Sequence, residues 1–102
     1  MKYLLPILAM MILGMLPATA IAQCLSTYTI SPEMVESEPV IFRADDINLR
    51  AGPGTRYCKV RVLDQGKDKP ATIVAKVGTW RQVRFENKTY WIHFMLLKIP
   101  KL

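Results

Sequence analysis

From Val40 onward the chain is cut into short apolar runs separated by turn residues. They are Val40-Ile41-Phe42, Ile47 to Arg50, CKVRVL at 58–63, ATIVAKV at 71–77, WRQVRFE at 80–86 and TYWIHF at 89–94. Each is rich in β-branched and aromatic residues and only a few residues long, which predicts strands. Alternation along them places Cys58, Val60 and Val62 on one face, with Lys59 and Arg61 on the other and Leu63 out of step. Ile73, Ala75 and Val77 alternate in the same way; Val83 with Phe85, and Tyr90 with Ile92, are expected to point inward. Asp45-Asp46 marks a turn, Gly66 and Pro70 bracket the DQGKDK turn, and Asn87-Lys88 predicts a tight hairpin. Phe94 to Leu97 is expected to form one 3₁₀ turn closing the apolar end.

No segment after residue 22 keeps a helical period. Five or six short strands with no helix between them predict an all-β fold, a small antiparallel barrel. Closure would remove exposed sheet edges; an open sandwich is the alternative, but this length leaves little room for its strands. Residues 23–39 are polar, carry Pro32 and Pro39 and have no clear period. They read as an extended arm ahead of a domain at 40–102.

The first 22 residues differ from everything after them. Lys2 precedes an apolar run from Tyr3 to Leu16, Pro17 breaks it, and Ala20-Ile21-Ala22 offers small residues at the positions a signal peptidase needs. The run is shorter than the roughly 20 residues that span a bilayer. It predicts an export signal cleaved after Ala22, with Ala18-Thr19-Ala20 as the second choice, and no stable membrane anchor. Lipid attachment at Cys24 is disfavoured because Gln23 precedes it. The expected location is periplasmic or secreted.

Cleavage there leaves a single domain of 80 residues holding both cysteines, Cys24 and Cys58. An even count in an exported chain favours an internal disulfide, worth ~3–4 kcal/mol in the chain-entropy model. Free thiols or an intermolecular bridge are the alternatives. Charge adds a second constraint. Beyond Lys2 the chain carries 13 Lys and Arg against 8 acids, spread without a run of four. Such a field favours anionic envelope polymers or lipid head groups, or serves only as a solvated surface. Nucleic acid is not the expected partner of an exported protein.

Little in the chain suggests catalysis, a metal or a cofactor. His93 is the single histidine, and one His with two Cys makes no ligand cluster at a usual spacing. A Cys58/His93 nucleophile pair lacks a motif for a third orienting group. The glycine-rich AGPGT is not followed by Gly-Lys-Ser/Thr, and Pro53 removes one backbone donor, which argues against a phosphate cradle. Gly52 and Gly54 are instead expected to supply dihedrals that other residues resist, with Pro53 fixing the corner.

The blocks INLRAGPGTRY and TWRQVRFENKTYWIHFMLL, in that order, resemble a bacterial SH3 domain of the exported kind. Asn48, Leu49, Arg50, Gly52, Pro53, Gly54, Thr55 and Tyr57 fit the first family block; Gly78, Trp80, Val83, Trp91, Ile92, His93 and Leu97 fit the later ones. The resemblance covers roughly residues 46 to 98. Cys58 and Tyr90 depart from it, Tyr90 standing where the family usually has glycine. It implies a noncatalytic binding module with a groove beside the NLRAGPGTRY loop. Tyr57, Trp80 and Trp91 are amphipathic aromatics suited to line such a groove. Arg50, Arg56 and Arg81 would meet carboxylates. The expected partner is cell-wall peptidoglycan or, alternatively, an envelope protein bound as by an adaptor or inhibitor.

Overall fold

The computed structural model describes residues 23–101. The export signal and its cleavage position fall on residues 1–22, outside the described residues. The strands are β1 (Glu33–Phe42), β2 (Ile47–Arg50), β3 (Lys59–Leu63), β4 (Pro70–Val77), β5 (Trp80–Phe85), β6 (Lys88–His93) and β7 (Leu97–Lys98). One 3₁₀ turn, Phe94–Leu96, joins β6 to β7. All seven strands form one antiparallel sheet in the order β3-β2-β6-β5-β4-β1-β7, which curls into a half-barrel. The all-β expectation holds, with seven strands in place of five or six.

The added strand is β7, and the first strand is longer than expected. Residues 33–39, expected in the arm, belong to β1, which pairs with β4 from Glu33↔Lys76 to Ile41↔Pro70. The sequence showed only the end of this strand because Val40 and Phe42 alone enter the core cluster, with Val35 packed against it, and its register slips between Met34 and Glu38. Pro39 is tolerated because β7 covers only Ile41 and Phe42, leaving the rest of that side of β1 as an edge. The arm proper is therefore residues 23–32.

Alternation fills one face of the sheet. Val40, Phe42, Ile47, Leu49, Leu63, Ile73, Val83, Phe85, Tyr90 and Ile92 form a single core cluster. Phe42 and Phe85 meet edge to face at 5.3 Å between ring centroids. A bulge in β4 and the register of β3 change the predicted faces. In β4 the register shifts between Ile73 and Ala75, so Ile73, Val74 and Ala75 are buried in succession. Against β3 it shifts between Leu49 and Arg50, with Val60 as the extra residue. Val60 and Val62 face solvent because Leu63, opposite the buried Ile47, is the inward residue of β3, while Arg61 lies opposite the buried Leu49 and over the Phe85 ring at 4.9 Å. Arg61 also pairs with Glu86 at 2.6 Å. Contacts with Tyr90 first, and Glu86 second, raise its pKa.

Both central hairpins are two-residue turns. Gly78 has φ of 56° and Thr79 is not in the left-handed region, the pattern of a type II′ turn with glycine first. At the β5–β6 hairpin, Glu86 (φ 50°) and Asn87 (φ 70°) are both left-handed, as in type I′. Phe85 and Lys88 close the ladder, so the turn sits one residue earlier than Asn87-Lys88.

Cys24 and Cys58 form a disulfide, their Cα atoms 4.8 Å apart. It fixes the arm where Leu25 makes a parallel bridge to Tyr57, through Leu25 N–H to the Arg56 carbonyl and Cys58 N–H to the Leu25 carbonyl. A disulfide accords with a non-cytoplasmic compartment. Among the described residues, no helix is long and apolar enough to cross a membrane.

Candidate functional site

The inner face holds the core, so the outer face of β2, β6 and β5 is where a groove can form. Arg50 pairs with Trp91, Gln82 with Trp91 and Trp80 with His93, which puts these side chains on one surface. Period two adds Asn48 from β2. The 51–56 loop contributes Thr55 on one side and the 3₁₀ turn contributes Leu96 on the other. Asn48, Arg50, Thr55, Trp80, His93 and Leu96 together line a groove of about 230 Å³.

Each wall is fixed locally. One terminal nitrogen of Arg50 donates to the carbonyls of Thr55 (3.0 Å) and Tyr57 (2.8 Å), which ties the loop to β2. His93 Nδ1 accepts from the Met95 N–H at 3.2 Å and caps the 3₁₀ turn. In the neutral ring Nε2 then carries the proton as a donor. The imidazole meets Trp80 edge to face, 5.5 Å between centroids. The lining offers an indole face, guanidinium, imidazole and amide donors, and hydroxyl and amide oxygens. None of its residues is Asp or Glu.

Tyr57 answers the question of the glycine-rich loop. Its ring is buried, 3% exposed, and packs on the loop backbone. A Cβ on Gly52 would stand 2.4 Å from the Tyr57 ring, whereas one on Gly54 would meet it at 3.4 Å. Neither glycine has a positive φ; among the described glycines only Gly78 does. Gly52 is thus required for close approach rather than for its dihedrals. We expect Gly52→Ala to cost ~1–3 kcal/mol by overpacking, read as a lower urea midpoint. Much of that loss should return when Tyr57→Leu is added, because the smaller side chain vacates the clash.

Of the six residues expected at a site, Arg50 and Trp80 line the groove. Arg56 is exposed on the adjoining loop, its guanidinium carbon 5.4 Å from the Tyr57 ring centroid. Arg81 lies on the other face of β5; it donates to the carbonyls of Gly78 (2.8 Å) and Trp80 (3.1 Å), bracing the turn that carries Trp80. Tyr57 and Trp91 are corrected to interior positions. Trp91 is 1% exposed, on the outer face but beneath the arm, where Tyr28 packs edge to face on it at 5.4 Å. The Tyr28 hydroxyl lies 3.5 Å from the Gln82 amide nitrogen, and Trp91 Nε1 is buried without an acceptor. The arm's course over this face carried no sequence signal.

Asn48, Thr55, His93 and Leu96 were not singled out as site residues. Two of them had a signal. Asn48 sits two residues before Arg50, and His93 two after Trp91, so each shares its neighbour's face. Thr55 and Leu96 depend on how a loop and a turn fold back, which alternation does not encode. Cys58 is held in the disulfide, and no group of three or more His, Cys, Asp or Glu converges among the described residues. Set against protein-family models, curated proteins and solved structures, the chain finds no match.

Proposed function

We propose that the protein is an exported, noncatalytic binding module of the bacterial SH3 type, periplasmic or secreted. Its outer-face groove contacts cell-wall peptidoglycan or a related envelope component. The observation that supports this is the pairing of an indole face at Trp80 with donors from Arg50, His93 and Asn48, in a lining free of carboxylates. Peptidoglycan offers sugar faces for stacking and stem-peptide carboxylates for charge-assisted hydrogen bonds. The motif blocks and the positive charge of the chain point the same way.

Co-sedimentation with purified sacculi tests it. The protein is expected to pellet with sacculi in a salt-sensitive manner, and Trp80→Ala to weaken binding about thirtyfold, the typical effect of losing an aromatic hot spot of ~2 kcal/mol. Absence of any pelleting at low salt sinks the wall reading. Crosslinking in cells that captures one stoichiometric envelope protein would move the groove to a protein partner.

A further inference from the structure

A second surface lies at the mouth of the half-barrel. There a cavity of about 210 Å³ opens over Val40, Ile73 and Leu97, with Arg81, Phe94, Lys98 and Ile99 also in its lining. Three large apolar side chains stand out in this short stretch of chain: Phe94 is 42% exposed, Met95 62% and Ile99 70%. The 3₁₀ turn that carries the first two buries none of its residues. Folding gains nothing from showing these side chains to water; Phe94 and Ile99 share the cavity lining, Met95 follows Phe94 in the turn, and grouped exposed apolar residues mark an interaction surface.

Charge narrows the kind of partner. Residues 87–102 contain no Asp or Glu but carry Lys88, Lys98 and Lys101. Arg81 spreads its guanidinium over Phe94 at 5.6 Å, so cation and aromatic ring form one unit. Two acids stand nearby: Glu38 in the cavity lining, and Asp68, which contacts Lys98 at 3.8 Å. Both Lys98 and Asp68 are open to solvent, and such a pair holds a lysine only weakly.

We propose that this face docks onto an anionic lipid bilayer. Phe94, Met95 and Ile99 enter the boundary between headgroups and acyl chains, while Arg81, Lys98 and Lys101 meet the lipid phosphates. Shallow apolar anchors flanked by cations are what interfacial binding requires. This inference does not rest on the wall-binding groove, which lies on the outer face of the sheet.

Vesicle sedimentation tests it, using the chain from Gln23, which contains every strand described. Vesicles of phosphatidylcholine with added phosphatidylglycerol should bind the protein, phosphatidylcholine alone should not, and salt should weaken binding. Ile99→Ser and Phe94→Ser should each lower partitioning about tenfold, and Lys98→Gln or Lys101→Gln about fivefold. Lys88→Gln, at the other end of β6, should leave it unchanged. Circular dichroism confirms that each variant is folded; Ile99, the most exposed of the three, keeps the test open if Phe94→Ser is not. Equal partitioning to both vesicle types, or to neither, overturns the proposal. So does a dimer in solution that Ile99→Ser dissociates, since the face would then belong to a second copy. Lipid-free sacculi report on the groove alone, so failure of one reading is distinguishable from failure of the other.

Discussion

Replacing both Cys24 and Cys58 with serine is expected to remove about 4 kcal/mol of stability, the chain-entropy value for a loop of this length. The bond spans a sequence separation of 34, and a domain this small has only ~5–15 kcal/mol in total. It also holds the arm in register. Leu25's two backbone bonds and Tyr28's contact with Trp91 both depend on the arm lying across the sheet. Urea unfolding of the oxidised protein and the double variant measures the loss, and the variant midpoint should drop by roughly 1–4 M. Tryptophan emission adds a local reading, because release of the arm would expose Trp91 and shift its fluorescence to the red. A loss under about 1 kcal/mol would mean that the open chain is already compact without the bond.

Trp91→Ala is expected to cost ~3–5 kcal/mol, the range for truncating a buried aromatic. The side chain is 1% exposed and stands outside the main core cluster, sealed from above by Tyr28. Truncation opens a cavity between the sheet and the arm that neither can easily fill. Trp91→Phe should behave differently. It keeps a ring against Tyr28 and removes an indole N–H that is buried without an acceptor, a defect worth ~1–3 kcal/mol. The gain offsets much of the lost volume, so the net change should be small. Equilibrium unfolding of the two variants separates the cases. If Trp91→Ala costs no more than Trp91→Phe, the arm does not pack on the sheet as described.

The strands were legible wherever the ladder is regular. Val83 with Phe85, and Tyr90 with Ile92, follow alternation because β5 and β6 are central strands with a regular ladder. Legibility failed where a bulge or an edge intervenes. Val60 and Val62 read as core by pattern, yet on the edge strand β3 the inward residue is Leu63, which leaves both in solvent. β1 has no readable period because most of it lies at an edge. For the groove, Arg50 and Trp80 were visible from residue type and from their place beside turns. Tyr57 and Trp91 carried the same signal but were claimed by packing. An amphipathic aromatic near a loop suits a groove and a sealed interior equally well, and only the arm's path decides between them.

One edge of the sheet brings the first and last strands of the chain together. β1 pairs along its length with β4, and its last residues pair with β7, through Ile41↔Lys98 and Phe42↔Leu97. The sheet therefore cannot be completed until Leu97 and Lys98 have emerged, however early β1 is made. Pairings of such long sequence separation delay folding, because loop-closure entropy is spent before the contacts that offset it are formed. Closing the β1–β7 edge is thus expected to be a late step, taken only when nearly all of the domain is present.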